Sequence, residues 1–297
     1  MLIKPDQIAI EVQGQEWKGE GVDPRLAAKY ERLVFLLQEM ERVVVAFSGG
    51  VDSSLVAKVA LDALGAENTL AVTAISPSLA QDEARDALAV LKEIGVPYLT
   101  IETHEVEDPR YAANPANRCY FCKEHVYEGL TEVAWARGFN IVVDGFNSDD
   151  AADHRPGRQA GRERGVRSPL YEAALNKADV RALAKHLGLS NWNKPAMACL
   201  SSRVEYGSAI TPQILAQIDQ AESALRRIGF EALRVRHHGK LARIEFDDNV
   251  LSQVIAMREQ IVSALKASGY LYVTLDLQGL RHGSMNEALV DRGTKLE

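Results

Sequence analysis

Hydrophobic positions in the first half of the chain follow helix and strand periodicities in turn. Between Pro24 and Met40, apolar side chains recur every three or four residues, which predicts a helix. Residues 42–47 form a short apolar run rich in β-branched residues, the pattern of a strand buried on both faces of a parallel sheet. The alternation continues with strands at 69–75, 97–101 and 141–144 and with helices at 51–64, 79–94, 120–137 and 177–187. This order predicts an α/β fold with a doubly wound, mostly parallel sheet.

The pattern changes after Thr211. A helix at 212–228 is followed by strands at 233–237 and 241–246, a helix at 250–267 and a strand at 270–275. We therefore expect a smaller C-terminal α+β unit and place the domain boundary near 204–210, giving domains at 1–205 and 206–294. Residues 295–297, Lys-Leu-Glu, have the character of a vector remnant and are left out of the functional argument.

Two stretches show no periodicity. Residues 104–117 are interrupted by prolines and predict a loop before the next helix. Residues 145–169 contain four glycines and two prolines without an amphipathic pattern. Irregular segments of that length in a compact domain are usually functional or mobile.

Composition narrows the class of protein. The chain has 297 residues, with 46% hydrophobic and 25% charged residues, which is average for soluble globular proteins and excludes a disordered or fibrous chain. The formal charge is 34 − 41 = −7. That balance disfavours nucleic-acid binding. Residues 4–20 are polar, and no apolar run approaches the ~18 residues of a membrane span, so we expect a cytoplasmic protein.

Residues 48–54 read SGGVDSS and lie between a predicted buried strand and a predicted helix. Backbone N–H groups at a helix N-terminus lack intrahelical partners and favour an anion, and Gly49 and Gly50 permit close approach by phosphate. Ser53 and Ser54 can add hydroxyl donors. The segment has neither the lysine of a Walker loop nor the GxGxxG of a dinucleotide fold. It predicts a phosphate site, and a plain turn with an N-cap serine is the alternative.

SGGVDSS resembles the PP-loop of the ATP pyrophosphatase superfamily, which has an adenine nucleotide alpha hydrolase-like fold. The resemblance implies ATP and Mg²⁺ binding, release of pyrophosphate and adenylation of a substrate oxygen. Asp52 would hold Mg²⁺ or order the loop, and Ser76 follows the second strand, where open sheets bind ligands. The implied ATP-binding residues are Ala46, Phe47, Ser48, Gly50, Val51, Asp52, Ser53, Ser54, Ser76 and Gly145.

Three cysteines are too few for a disulfide framework, and their positions indicate chemistry. Cys119 and Cys122 form a CxxC at the start of a predicted helix, where the dipole is expected to lower the thiol pKa. Cys199 lies in a second irregular stretch. The three thiols fit an iron–sulfur cluster with one open iron, or free redox-active thiols. They also fit a zinc site whose fourth ligand is His125 or His154.

Longer segments resemble the LarE family of sulfur transferases. They are SGGVDSS, NRCYFCK, VDGFNSDD, DHRPGRQAGRERGVRSPL and KPAMACLSSRVEYGSAIT. The resemblance implies adenylation of a carboxylate on a pyridinium dicarboxylate mononucleotide and its conversion to a thiocarboxylate, for the nickel-pincer cofactor of lactate racemase. Residues 1–205 would be the PP-loop domain carrying the cysteines, and 206–294 a substrate-binding or oligomerisation unit.

Cys199 matches the cysteine that donates sulfur in the family. Some members sacrifice this residue and leave dehydroalanine, whereas members with three cysteines are thought to hold a [4Fe–4S] cluster whose extra sulfide is the donor. Cys119, Cys122 and Cys199 match the second pattern. The implied cofactors are thus ATP, Mg²⁺ and a [4Fe–4S] cluster, with sacrifice of Cys199 as the alternative.

Charged residues supply two candidate anion sites. Five arginines between residues 155 and 167 fit a disordered loop, an RNA contact, or a lid whose guanidinium groups reach a phosphate or carboxylate; they are Arg155, Arg158, Arg162, Arg164 and Arg167. The LarE resemblance implies a second set that binds substrate, for which surface ion pairs are the alternative at each position. This set is Arg203, Glu222, Arg234, Glu245 and Arg281.

Three rival functions stay open. A tRNA thiolase would share the PP-loop and the cysteines but needs a basic face and salt-sensitive RNA binding. An amide-forming ligase like NAD synthetase would need ammonia and no cysteine. A nucleotide-binding sensor would bind ATP without turnover. We also expect a homo-oligomer, because small C-terminal units make subunit contacts in this superfamily.

Overall fold

The computed structural model describes residues 23–151, 156–196, 198–281 and 284–286. In the first part of the chain, residues 24–186, helices alternate with strands. In chain order the elements are α1 (Pro24–Met40), β1 (Val43–Ala46), α2 (Val51–Leu64), β2 (Thr69–Ile75), α3 (Gln81–Ile94), β3 (Tyr98–Glu102), α4 (Pro109–Ala112), α5 (Arg118–Ala136), β4 (Ile141–Val143), α6 (Pro156–Glu163), α7 (Pro169–Glu172) and α8 (Lys177–His186). None of the helices in these ranges is long and apolar enough to span a membrane.

The four strands form a parallel sheet in the order β3-β2-β1-β4. β1 is central, with Val43 paired to Thr69 on one side and Ile141 on the other. The side chains of Val43, Val44 and Val45 are fully buried, as the continuous apolar run predicts. The doubly wound α/β fold is thus confirmed. The chain reverses its strand order between β1 and β4, and open sheets bind ligands at the carboxyl edge of such a switch point.

The C-terminal part contains α9 (Pro212–Arg227), β5 (Leu233–His238), β6 (Leu241–Phe246), α10 (Leu251–Ala256), α11 (Arg258–Ala267) and β7 (Tyr272–Leu275). Its sheet has the order β5-β6-β7, with β5 and β6 antiparallel and β6 and β7 parallel. The helices and this sheet enclose a hydrophobic cluster of their own around Leu225, Phe230 and Ile244. The additional α+β unit is therefore present, and the exact division between 205 and 206 stays a prediction.

Residues 145–169, which show no periodicity in sequence, include the helix α6. α6 packs against α5 through small residues, since a Cβ added to Gly157 would lie 2.8 Å from Lys123 Cγ and one added to Gly161 would lie 3.1 Å from Tyr127. Close contact through glycines carries no hydrophobic periodicity, so a pattern of apolar residues could not predict it. The predicted helix at 250–267 is also wrong as a single element, because it is interrupted at Met257.

Candidate functional site

The loop between β1 and α2 is compact and depends on glycine. Gly49 has φ of 75°, and a Cβ there would lie 2.7 Å from the Cβ of Ala87. The hydroxyls of Ser53 and Ser54 donate to the Gly50 carbonyl at 3.1 and 2.9 Å. Ser53 Oγ also accepts a hydrogen bond from the Ser48 backbone at 3.2 Å. The loop thereby surrounds the N-terminus of α2, the arrangement that binds phosphate.

Two residues from distant loops support this turn. A Cβ on Gly145 would lie only 2.8 Å from the Ser53 backbone nitrogen, so the loop after β4 lies directly against the N-terminus of α2. Asn191 donates through Nδ2 to the Gly49 carbonyl at 3.1 Å and to Ser54 Oγ at 2.9 Å. Sequence reasoning found Gly145 but missed Asn191, which lies after α8 without a recognisable motif.

Asp52 already has cationic and amide partners. Its carboxylate pairs with the Lys177 ammonium and accepts a hydrogen bond from Asn147 Nδ2 at 3.1 Å. Lys177 is the first residue of α8, so two helix N-termini meet at this carboxylate. Both carboxylate oxygens of Asp52 are thus engaged by protein donors, and its role in holding Mg²⁺ stays a prediction.

A cavity of about 340 Å³ begins at the carboxyl ends of β1 and β2 and extends to the cysteines. Of the ten residues expected to bind ATP, four line this cavity: Ala46, Phe47, Ser48 and Ser76. All three cysteines, Cys119, Cys122 and Cys199, line it as well. The tertiary structure thus brings the predicted nucleotide edge and the predicted sulfur chemistry into one space.

The thiols differ in environment. Cys119 and Cys199 are exposed, whereas Cys122 is half-buried. Burial, together with the nearby charge of Glu105, raises the pKa of the Cys122 thiol well above its ordinary value. The expectation of a lowered thiol pKa is therefore wrong for Cys122, because burial and the Glu105 carboxylate both disfavour the thiolate.

Neither form of metal site is formed in the described ranges, where no three Cys, His, Asp or Glu side chains are grouped to hold a metal ion. His125, one candidate zinc ligand, is hydrogen-bonded to Asp108 at 3.1 Å. His154, the other, lies outside the described residues. The cluster and the zinc site both stay predictions.

Ser76 is engaged by a buried carboxylate that sequence reasoning missed. Its hydroxyl donates to Glu105 Oε1 at 2.5 Å, and the Ser78 hydroxyl donates to the same oxygen at 2.7 Å. Glu105 is only 1% exposed and lines the cavity. The Ser78 carbonyl accepts a hydrogen bond from the Leu200 amide at 2.9 Å. Glu105 therefore orders the turn that anchors the chain next to Cys199.

Arg203 and Glu222 form a buried ion pair, so the alternative of a surface pair is wrong for them. Arg203 Nε lies 2.9 Å from Glu222 Oε1, and both side chains are at most 2% exposed. The Nη1 group of Arg203 donates to the carbonyls of Ala198 and Cys199 at 2.6 and 3.0 Å. Among the five predicted substrate residues, Arg203 alone lines the cavity as far as the chain is described.

Of the other predicted substrate residues, Arg234 and Glu245 lie on the C-terminal sheet and Arg281 follows its last strand. Glu245 is fully buried and paired at 2.7 Å with Arg236, whose Nη1 donates to the Ser202 carbonyl. Sequence reasoning missed Arg236. Burial and neighbouring arginines lower the pKa of Arg234, which is paired with Glu245 in the strand register. Arg281 lies 3.8 Å from Asp276. Their roles in substrate binding stay predictions.

The arginine-rich segment belongs to α6 and its flanks rather than to a wholly irregular loop. Arg158 lies over the rings of Phe146 and Tyr171, at 4.3 and 4.7 Å from their centroids. Arg167 pairs with Glu172, and Arg164 pairs with Glu128 at 3.6 Å. Arg155 lies outside the described residues. These contacts account for three of the arginines structurally, and the lid hypothesis stays a prediction.

Comparisons with known proteins agree with this geometry. Residues 34–116 match the NAD synthase family, a stretch that contains the PP-loop but ends before the cysteines. A protein from Lactiplantibacillus plantarum, pyridinium-3,5-bisthiocarboxylic acid mononucleotide synthase, is 41% identical over 89% of this chain and 96% of its own length. This chain belongs to the LarE family.

Two further relatives are named only as uncharacterized proteins. An uncharacterized Synechocystis protein is 46% identical over 89% of this chain and 99% of its own length. An uncharacterized Methanocaldococcus jannaschii protein is 29% identical over 69% of this chain and 77% of its own length. The LarE-type similarity thus extends through both sheets, unlike the shorter NAD synthase match.

Proposed function

We propose that this LarE-family chain is an ATP-dependent sulfur transferase. It adenylates a carboxylate of a pyridinium dicarboxylate mononucleotide and converts it to a thiocarboxylate, in the biosynthesis of the nickel-pincer cofactor of lactate racemase. The observation that supports this assignment most directly is the single cavity lined by both the PP-loop edge and the three cysteines. An ATP-dependent ligase that uses ammonia has no need for thiols beside its nucleotide.

The activation step uses the PP-loop. ATP phosphates bind at the N-terminus of α2, where Gly49 and Ser48 shape the turn. Lys177, which pairs with Asp52 beside this loop, would pair with the phosphates, and Asp52 would hold Mg²⁺. The substrate carboxylate oxygen attacks the α-phosphorus, the bond to the bridging oxygen breaks, and pyrophosphate leaves. The product is an acyl adenylate, in which AMP is a good leaving group.

The sulfur step takes place at Cys199. A sulfur nucleophile attacks the activated carbonyl carbon, the C–O bond to AMP breaks, and AMP leaves with the electron pair. The Arg203 guanidinium and the Leu200 amide hold the backbone on both sides of Cys199. Because a buried pair with Glu222 fixes Arg203, the position of the thiol depends on the C-terminal unit.

The three cysteines would be the donor set of the proposed cluster. Cys119, Cys122 and Cys199 line one cavity, and three thiolates leave one iron of a [4Fe–4S] cluster open. When bound, the cluster would supply sulfide to that position. The sacrificial alternative uses the Cys199 sulfur itself and leaves dehydroalanine. Because burial raises the pKa of the Cys122 thiol, Cys122 is not the free thiolate nucleophile of this step.

One incubation tests the function and the sulfur source. Protein purified without oxygen is mixed with ATP, Mg²⁺ and pyridinium-3,5-dicarboxylate mononucleotide, and both the small molecules and the protein are analysed by mass spectrometry. We expect AMP, pyrophosphate and a thiocarboxylate. Absence of pyrophosphate release would refute the enzyme assignment. Iron analysis and the visible spectrum test the cluster, and loss of hydrogen sulfide from Cys199 in proportion to product would instead establish the sacrificial route.

We also expect a cytoplasmic protein and a homo-oligomer. Light scattering measures the oligomeric state, and a monomer would contradict the expected homo-oligomer. A tRNA thiolase predicts RNA binding that weakens with salt, so RNA titration at two salt concentrations tests that rival.

A further inference from the structure

A buried arginine in the cavity has no acidic partner in the part of the chain that the structure describes. Arg118 is only 5% exposed, and no ion pair involves it within the described residues. It is the first residue of α5, where the helix dipole already disfavours a cation, and the first turn of α5 has no acidic residue. A buried charge is costly unless it is paired, so the position calls for an anion that the described residues do not supply.

The guanidinium is held in place before any anion binds. Arg118 Nη1 donates to Asn114 Oδ1 at 2.8 Å, and the guanidinium carbon lies 4.5 Å from the centroid of the Tyr206 ring. Asn114 is completely buried, has the left-handed φ of 54°, and donates through Nδ2 to the Glu205 carbonyl at 2.9 Å. Asparagine adopts this conformation more readily than other non-glycine residues, so the turn holds Asn114 and its contact with Arg118 in place.

These contacts leave one side of the guanidinium available. Only Nη1 has a hydrogen-bond acceptor in the part of the chain that the structure describes, and Nε is buried without one. Nη2 and the second N–H of Nη1 form an end-on planar pair of donors, which matches the two oxygens of a carboxylate. Arg118 lines the same cavity as Cys119 and Cys199, so an anion bound there lies near the sulfur chemistry.

We propose that Arg118 binds the ring carboxylate of the substrate that is not being activated. This rests on the proposed function. The relative's name specifies two thiocarboxylates, so a substrate ring of this kind must be presented in two orientations, each with one group reacting and the other, a carboxylate or thiocarboxylate, held apart. A fixed fork that accepts either monoanion meets this requirement. Arg118 would then select dicarboxylate substrates over monocarboxylate ones.

Two mononucleotides test the assignment. Binding of pyridinium-3,5-dicarboxylate mononucleotide and of pyridinium-3-carboxylate mononucleotide is measured by calorimetry for the full chain, wild type and Arg118→Gln. Wild type should prefer the dicarboxylate. The substitution should weaken its binding about 10- to 100-fold, the value of charged hydrogen bonds, and leave monocarboxylate binding within about twofold. Equal weakening of both compounds, or no weakening of either, would overturn the proposal.

Controls separate folding, charge and geometry. Arg110→Gln removes another arginine, which pairs with Asp108 and is half exposed, and should change neither binding constant. Arg118→Lys retains the charge without the planar fork, and it decides the question if Arg118→Gln does not fold. A reduced dicarboxylate preference supports the fork, whereas an undiminished preference overturns it. Failure of the proposed function differs from both, because wild type would then release no pyrophosphate with the dicarboxylate.

Discussion

Replacing Glu222 by alanine is expected to be among the most damaging single changes in the molecule. Its carboxylate receives hydrogen bonds from Arg203 Nε at 2.9 Å, from Arg226 Nη2 at 2.9 Å and from the Val235 amide at 3.0 Å. Glu222 is fully buried and Arg203 is 2% exposed. Without Glu222, Arg203 remains in the interior as a charge without a counter-charge.

The expected cost follows from that burial. Breaking a buried pair by removing one partner costs about 3–5 kcal/mol, because the remaining ion is left uncompensated. Glu222→Ala should therefore reduce the free energy of unfolding by this amount, measured by urea denaturation followed by circular dichroism. Arg203 should also hold the Ala198 and Cys199 carbonyls less firmly, so thiocarboxylate formation should fall.

A matched double variant separates stability from sulfur transfer. Arg203→Met with Glu222→Leu replaces the pair by apolar groups, which is often neutral or stabilising, although the Val235 amide still loses its acceptor. The free energy of unfolding of the double variant should lie within about 2 kcal/mol of the wild-type value. Its thiocarboxylate formation should stay low, because the Cys199 carbonyl has lost the hydrogen bond from Arg203. The reasoning is refuted if the free energy of unfolding of Glu222→Ala lies within about 1 kcal/mol of the wild-type value, or if the double variant is fully active.

Three further predictions follow from the site. Gly145→Ala places a Cβ 2.8 Å from the Ser53 amide and should raise the KM for ATP, with little change in sulfur transfer from a preformed acyl adenylate. Asp52→Asn should raise the Mg²⁺ concentration for half-maximal pyrophosphate release about tenfold; an unchanged requirement would reject Asp52 as a metal ligand. The raised pKa of Cys122 favours the folded state fully below about pH 8.5, where unfolded thiols ionise, and this contribution is lost at higher pH. The urea midpoint of metal-free protein should fall between pH 8 and 10, and less so in Cys122→Ser; equal falls would contradict the assignment.

Local sequence was sufficient for the strands, for most of the long helices and for the PP-loop. The valines of β1 are apolar on both faces because that strand is central, so the residue pattern directly reports its environment. The glycines at 49 and 50 and the serines that follow are consecutive in sequence, and their geometry arises from one turn. In contrast, α6 was hidden, because its glycines contact α5 without any apolar pattern.

The sequence by itself thus determined the α/β architecture, the position of the phosphate loop and the presence of three thiols outside any disulfide framework. Tertiary structure decided which groups share the cavity: Glu105 lies near Cys122, Arg118 lines the same space as Cys199, and Arg203 holds the Cys199 carbonyl. Hydrogen bonding in a turn or a helix depends on neighbours in the chain. Desolvation and ion pairing depend on what approaches from distant segments, so they set the pKa of Cys122 and the partners of the buried arginines only once the chain is folded.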